Sequence, residues 1–259
     1  MNLLSSRPTQ GFGLAVLAGV LIIVAVAVAA RAASRTPEAV STLGFQSGGR
    51  LIKVEYFPVA ADAPARKSAV LILHGAGGVV FDGPGMRRMA RYLAGAGHPT
   101  YFVHYFERTG SIAVNDSRMR AHFDDWLATV REAISWVRTQ EPAAGKAVAV
   151  YGYSLGAFLG LAASSSNREV GAVVEHAGGI WYGQRERLRD LPPVLMVHGR
   201  EDARVPYDQF AVPLQQLLKE RGAAVTLSTY PQEGHRFSQA AEEKVRVEAA
   251  RFLADHPGR

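Results

Sequence analysis

Residues 147–164 read AVAVYGYSLGAFLGLAAS, and this stretch decides the fold that the sequence predicts. Its first five residues are a short apolar run, typical of a strand that is buried on both faces. Residues 155–164 indicate a helix, and the pentapeptide GYSLG at residues 152–156 joins the two. GYSLG fits the pattern G-x-S-x-G, a sharp strand-to-helix turn with room only for small residues beside the serine. The pattern therefore predicts that Ser154 stands at the carboxyl end of a strand as a nucleophile, beside the positive end of a helix.

Strand-like and helix-like segments alternate on both sides of this turn, from residue 69 to the end of the chain. The predicted strands are residues 69–73, 100–106, 147–151, 170–174, 194–197 and 224–230, and the predicted helices are residues 85–96, 122–140, 155–164, 209–221 and 239–254. Two further extended pieces are predicted within residues 45–57, around a turn at residues 47–49. The alternation predicts an α/β fold with a mostly parallel central sheet flanked by helices on both faces.

The predicted nucleophile needs a base, because a serine hydroxyl is a weak nucleophile at neutral pH. When a serine sits on such a turn, the chain order is serine, then acid, then histidine. Residues 194–202 read VLMVHGRED, a strand that runs into a turn with two acids past its end. We predict Asp202 as the acid, with its neighbour Glu201 as the alternative. His235 is the predicted base, because it alone among the histidines follows the acid in a loop after the last predicted strand.

The sequence HGAGG at residues 74–78 predicts an oxyanion hole, a pair of backbone N–H groups that holds the negative oxygen formed during acyl transfer. It directly follows the apolar strand at residues 69–73, where one of the two donors is expected. We predict the amide of Ala76 as this donor, with Gly77 as the alternative, and the amide of Leu155 as the second donor. The stretch lacks the lysine and the spacing of a phosphate-binding P-loop, so it does not predict a nucleotide site.

The composition excludes several classes of protein. Apolar residues make up 48% of the chain and charged residues 20%, which argues against bulk disorder. The net charge of +6 comes from scattered basic residues, so we predict a solvated basic surface and no nucleic-acid partner. The chain has no cysteine, which excludes disulfides, zinc-thiolate sites and a thiol nucleophile. The sequence predicts neither a metal nor any other cofactor.

The N-terminal part of the chain carries a run of 20 uncharged residues at 11–30, flanked by Arg7 and Arg31. As a helix this apolar run would be about 30 Å long, which matches the hydrocarbon core of a bilayer. It exceeds the roughly 7–15 apolar residues of a usual signal peptide, so we predict a transmembrane anchor, with a cleaved signal as the alternative. We therefore expect residues 1–35 to be an anchor or signal segment. Residues 36–259 are then the catalytic domain, membrane-anchored or secreted on the extracytoplasmic side.

These motifs resemble those of the dienelactone hydrolase family of α/β hydrolases, over about residues 45–253. The resemblance rests on HGAGG at 74–78, YFERTG at 105–110, GYSLG at 152–156, HGRED at 198–202 and EGH at 233–235. It implies the α/β-hydrolase fold and the hydrolysis of a small ester or lactone without a cofactor. The chain departs from the enzymes that give the family its name, because they use cysteine where this chain has Ser154. Those enzymes are also soluble, unlike a chain with a membrane anchor.

The expected activity is that of a serine hydrolase that cleaves small carboxylic esters or lactones through an acyl-serine intermediate. A serine peptidase on the same fold is the first alternative, but 259 residues leave no room for the large domain that such peptidases add. A catalytically idle, membrane-tethered binding protein is the second, and it would have no need of all three predicted site residues. The insertions at residues 108–120 and 178–191 are short and rich in arginine, which predicts a preference for short acyl chains.

Overall fold

The computed structural model describes residues 40–258, apart from the side chain of Tyr182. Within this range the chain forms eight strands and seven α-helices. The strands are β1 (Ser41–Ser47), β2 (Arg50–Phe57), β3 (Ser68–Leu73), β4 (Thr100–Val103), β5 (Ala147–Tyr153), β6 (Val170–His176), β7 (Val194–Gly199) and β8 (Val225–Tyr230). The helices are α1 (Gly78–Phe81), α2 (Gly83–Gly95), α3 (Asp116–Thr139), α4 (Leu155–Ser164), α5 (Tyr182–Arg185), α6 (Tyr207–Glu220) and α7 (Gln239–Asp255). Two 3-10 turns lie at Tyr105–Arg108 and Glu141–Ala143.

All eight strands belong to one sheet, in the order β1-β2-β4-β3-β5-β6-β7-β8. β2 runs antiparallel to both β1 and β4, and every pairing from β4 across to β8 is parallel. The mostly parallel sheet predicted from the alternation of strands and helices is thus confirmed. Because the strands from β3 to β8 run in one direction, the loops that follow β3, β5, β7 and β8 all emerge at the same edge.

Helices cover both faces of the sheet, as predicted. One apolar layer holds buried side chains of α3, α4 and α6, and the other holds buried side chains of α2 and α7. Every residue of β3 is buried, as expected for a central strand packed on both faces. The apolar stripe of α3 is also buried, with Phe123, Trp126, Leu127, Val130, Ile134 and Val137 facing the sheet layer.

The structure corrects two predicted boundaries. The helix predicted at residues 122–140 begins six residues earlier, at Asp116, because the side chain of Asn115 accepts a hydrogen bond from the Arg118 amide at 3.1 Å and caps it. The strand predicted at residues 100–106 ends at Val103. Tyr105 then enters a 3-10 turn, where its ring is buried and stacks on His74 at 4.2 Å between centroids. Tyr105 and Phe106 are apolar because they are buried in this turn, and not because they pair in a strand. Their apolar character therefore made the predicted strand too long.

No helix within residues 40–258 is long and apolar enough to cross a bilayer. The predicted transmembrane or signal segment, residues 1–35, lies outside the described residues.

Candidate active site

Ser154 occupies the turn between β5 and α4 in a backbone conformation that is unfavourable for a residue with a side chain. Its φ is 53° and its ψ is −121°. The surrounding hydrogen bonds hold it there: the Ser154 amide donates to the carbonyl of His176 at 2.8 Å, and the Ala157 amide donates to the Ser154 carbonyl at 2.8 Å. The serine therefore stands at the carboxyl edge of the sheet, ahead of the first turn of α4.

The two glycines of GYSLG are required by close backbone contacts. A Cβ atom added to Gly152 would lie 2.3 Å from the carbonyl oxygen of Gly156. One added to Gly156 would lie 2.5 Å from the carbonyl oxygen of Leu73 and 2.6 Å from that of His74. The start of α4 thus packs directly on the end of β3. This contact brings the turn at Ser154 against the loop HGAGG.

The structure brings the three predicted site residues into one hydrogen-bonded chain. Nε2 of His235 lies 2.9 Å from Oγ of Ser154, and Nδ1 of His235 lies 2.8 Å from Oδ2 of Asp202. The carboxylate can only accept, so Nδ1 donates to it and Nε2 is left to accept the serine hydroxyl proton. The residues come from the loops after β5, β8 and β7, whose carboxyl ends share one edge of the sheet.

Asp202 is fully enclosed, and several donors surround its carboxylate. Oδ1 accepts the amides of Arg204 and Val205, each at 2.8 Å. Burial acts to raise the pKa of Asp202, but hydrogen bonds from His198, His235 and the Val205 amide outweigh it and hold that pKa below the ordinary value. The carboxylate is therefore ionised and suited to orient the imidazole. The alternative acid, Glu201, is exposed, and it is Asp202 that contacts His235.

The loop HGAGG places its amides in two different environments. The Gly77 amide donates to the carboxylate of Asp82 at 3.0 Å, so it is already engaged. The amides of Ala76 and Leu155 donate to no acceptor within residues 40–258. The loop is fixed by hydrogen bonds to its carbonyl groups, from the Val114 amide to Ala76 at 3.0 Å and from the Tyr105 hydroxyl to His74 at 2.7 Å. The two amides predicted by the sequence thus have no acceptor, one in the residue that follows Ser154 and one in the loop that packs against its turn.

Several residues outside the predicted catalytic set support this site, and sequence reasoning missed Tyr153 and Glu175 among them. The Tyr153 hydroxyl donates to the carbonyl of His235 at 3.0 Å, and Nε2 of His198 donates to the carbonyl of Val205 at 2.8 Å. Glu175 is fully buried beside Gly152 in the sheet register, and burial raises its pKa to about 7. The one available signal was the acid itself, which interrupts the otherwise apolar sequence VGAVVEH of β6.

Other candidate sites are scarce in the described part of the chain. Residues 40–258 contain no group of three or more histidine, aspartate or glutamate side chains arranged to hold a metal ion. A surface cavity of about 270 Å³ is lined by residues of α3, α4 and the turn at residues 184–188. It reaches Ser165, at the end of α4 opposite Ser154, so it is separate from the site described above.

Comparison with known proteins gives a family match and similar folds. The sequence model of the dienelactone hydrolase family matches residues 54–255. No curated protein matches this chain.

Three solved structures illustrate the shared fold. The dienelactone hydrolase of Anabaena variabilis is 18% identical with a TM-score of 0.66, over 85% of this chain and 99% of that one. A dienelactone hydrolase-like promiscuous phosphotriesterase from metagenomic libraries is 16% identical with a TM-score of 0.71, over 86% and 100%. A serine hydrolase without a lid from Xanthomonas campestris is 20% identical with a TM-score of 0.63, over 84% and 95%. The TM-scores establish a common fold, and at identities this low the likeness concerns the fold alone.

Proposed function

The chain belongs to the dienelactone hydrolase family, and from this premise we propose that it hydrolyses small carboxylic esters or lactones through an acyl-serine intermediate. The observation that carries the proposal is the hydrogen-bonded chain from Ser154 through His235 to Asp202, at 2.9 and 2.8 Å. This is the arrangement that makes a serine hydroxyl nucleophilic at neutral pH.

Each proposed step uses one part of this geometry. His235 accepts the Ser154 proton while Oγ attacks the ester carbonyl, and Asp202 stabilises the imidazolium that forms. The amides of Ala76 and Leu155 hold the oxygen of the tetrahedral intermediate. His235 then protonates the leaving alcohol oxygen, which leaves an acyl group on Ser154. Water, deprotonated by His235, then attacks the acyl carbon. The bond between the acyl carbon and Oγ breaks, and His235 returns the proton to Oγ, which releases the acid and restores the serine.

The backbone at Ser154 argues against an idle binding protein. A non-glycine residue at φ 53° and ψ −121° costs on the order of 1–3 kcal/mol, which a protein without catalysis could avoid with a different turn. The names of similar structures support ester chemistry over peptide cleavage, since two of them are structures of an esterase, Est2, of Thermogutta terrifontis, and another is a lidless serine hydrolase. Serine replaces the cysteine of the family's name-giving enzymes, so the dienelactone substrate itself is not part of the proposal.

We propose a preference for short acyl chains. The segment between β6 and β7 contains only the four-residue helix α5, and the segment between β4 and α3 contains only one 3-10 turn. Neither is large enough to form a domain that shelters a long acyl chain. The test is kcat/KM for nitrophenyl esters from acetate to palmitate, with a peptide nitroanilide beside them. An optimum at palmitate, or peptide cleavage comparable to ester cleavage, would overturn the preference.

The membrane location is a separate proposal, supported by the 20-residue uncharged run at residues 11–30. We propose that residues 1–35 hold the catalytic domain at a membrane, on the extracytoplasmic side. Mass spectrometry of the protein isolated from its native cells tests this. A mature N-terminus near residue 30 would instead identify a cleaved signal.

A fluorophosphonate probe tests the nucleophile directly, because it reacts only with an activated serine. We expect the purified protein to be labelled at Ser154 and to lose ester hydrolysis in step with labelling. Ser154→Ala should lose both labelling and turnover while its melting temperature stays close to that of the wild type. Ser165→Ala, at the far end of α4, is the matched control and should keep both. Labelling that persists in Ser154→Ala would contradict the assignment.

A further inference from the structure

A buried carboxylate lies behind the loop HGAGG, where the proposed mechanism gives it no role. Asp82 connects α1 to α2, and its side chain is 4% exposed. A Cβ atom added to Gly75 would lie 2.8 Å from Oδ2 of Asp82 and 3.0 Å from Cβ of Ser154. Oδ2 of Asp82 and Cβ of Ser154 thus both border the space that the missing side chain at Gly75 leaves open.

Asp82 also holds the loop in its observed shape. Its Oδ2 accepts the Gly77 amide at 3.0 Å, and a Cβ atom at Gly77 would lie 2.7 Å from Oδ1. Its own amide donates to the carbonyl of Gly78 at 3.0 Å. With the Gly77 amide bound to Asp82, the amide of Ala76 remains without an acceptor in this loop. The carboxylate therefore selects which amide can meet a substrate oxygen.

A negative charge this close to Ser154 opposes the chemistry unless it is compensated, because the tetrahedral intermediate places a second negative charge nearby. Arg236, the residue after the proposed base, provides the compensation. Its Nη2 lies 3.4 Å from Oδ1 of Asp82, although the guanidinium itself is largely exposed. Burial raises the pKa of Asp82, against the smaller opposing influence of Arg236, the Gly77 amide and His235. The ion pair with Arg236 reduces the net charge behind the loop.

We propose that Asp82 is a positioning residue that fixes the oxyanion loop through the Gly77 amide, and that Arg236 neutralises its charge so that the loop can stabilise an oxyanion. The proposal rests on acyl transfer at Ser154. It predicts that replacing Arg236 lowers kcat because the carboxylate of Asp82 is then uncompensated, and not because the arginine itself is lost.

A double-mutant cycle isolates this charge effect. Asp82→Asn keeps an acceptor of the same shape without the charge, Arg236→Gln leaves the carboxylate uncompensated, and the double variant carries neither charge. The readouts are kcat and KM for 4-nitrophenyl acetate, and Ki for a trifluoromethyl ketone, whose adduct with the serine carries an oxyanion. Arg251→Gln is the control, because Arg251 is an exposed arginine with a carboxylate partner, Asp255, away from the site.

We expect Arg236→Gln to lower kcat about tenfold with KM little changed, and to raise Ki by a similar factor. The double variant should recover to within about threefold of the wild type on both readouts. Arg251→Gln should match the wild type. A double variant no better than Arg236→Gln, or an Arg236→Gln variant with wild-type kcat and Ki, would overturn the proposal.

Asp82→Ala adds a second test, because it removes the acceptor as well as the charge. It should lower kcat about 100-fold, comparable to the loss of one oxyanion donor. If Asp82→Ala does not fold, the double-mutant cycle still tests the proposal, because every variant in that cycle keeps a hydrogen-bond acceptor of the same shape at position 82. Failure of the proposed function would be distinct, because the wild type itself would then neither hydrolyse esters nor react with a fluorophosphonate.

Discussion

Nε2 of His198 lies 3.4 Å from Oδ2 of Asp202, the same oxygen that accepts a hydrogen bond from His235 at 2.8 Å. His198 also donates to the carbonyl of Val205 at 2.8 Å, which requires a proton on Nε2. Burial acts to lower the pKa of His198, but Asp202, the buried Glu175 and the Val205 carbonyl outweigh it and raise that pKa. A second imidazole thus stabilises the ionised form of Asp202 and fixes the turn that carries it.

Replacement of His198 by phenylalanine should damage both activity and stability. The ring volume is kept, but the Val205 carbonyl loses its donor and Asp202 loses one of its two imidazole neighbours. We expect kcat to fall about tenfold and the free energy of unfolding to fall by about 1–3 kcal/mol, the cost of an unsatisfied buried group. Steady-state kinetics and urea denaturation measure the two effects. A variant with the kcat and the free energy of unfolding of the wild type would show that His198 does not support the site.

Asp202→Asn should lower kcat by roughly 10²–10⁴, because the amide cannot hold the His235 tautomer that accepts the serine proton. Glu201→Gln is the matched control, a neighbouring acid whose side chain is exposed, and it should stay within about twofold of the wild type. Both variants should melt cooperatively, so that the loss of rate reflects chemistry. The reverse pattern, with Glu201→Gln the inactive variant, would assign the acid to Glu201.

The proposed catalytic residues could be predicted because each follows a strand in a local pattern. Ser154 lies in G-x-S-x-G after β5, Asp202 follows β7, and His235 follows β8. Parallel strands then bring these distant residues to one edge, where the structure places them in contact. The order of strands and helices thus carries most of the information about this site.

The supporting residues could not be predicted, because their contacts join elements that no local pattern relates. Asp82 meets Arg236 across 154 positions of the chain, and Tyr153 meets the carbonyl of His235 across 82. The sequence also allowed Gly77 as an alternative oxyanion donor. Only the hydrogen bond from the Gly77 amide to Asp82 distinguishes Gly77 from Ala76. Such contacts depend on side-chain packing after the fold has formed.

Gly156→Ala should disrupt the site through the backbone. The added methyl group would lie 2.5 Å from the Leu73 carbonyl oxygen, and neither the start of α4 nor the end of β3 can move without the other. We expect a loss of stability of about 1–3 kcal/mol and a drop in kcat of more than tenfold, as for other overpacked positions. Gly95→Ala is the control, because a methyl group there meets no atom within 4 Å. Equal melting temperatures and rates for the two variants would contradict the close contact.

Glu175 should make the protein less stable as the pH rises. Its ordinary pKa of 4.5 applies to the unfolded chain, whereas burial raises the pKa to about 7 in the folded protein. Between these values the unfolded chain has released its proton and the folded protein has kept it. The free energy of unfolding therefore falls as the pH rises through this window, by roughly 3 kcal/mol in all, and levels off above pH 7.

Glu175→Gln tests this dependence, because the amide keeps the shape of the protonated acid and cannot ionise. The variant should match the wild type within about 1 kcal/mol at pH 4.5 and exceed its stability at pH 8. Glu169→Gln supplies a control of opposite sign: hydrogen bonds from Ser135 and Arg138 lower the pKa of Glu169, so this variant should fall further below the stability of the wild type at pH 8 than at pH 4.5. The measurement is urea denaturation at both pH values. A difference between Glu175→Gln and the wild type that does not change with pH would mean that Glu175 titrates alike in the folded and unfolded states, and that the buried acid beside the serine turn carries its charge without cost.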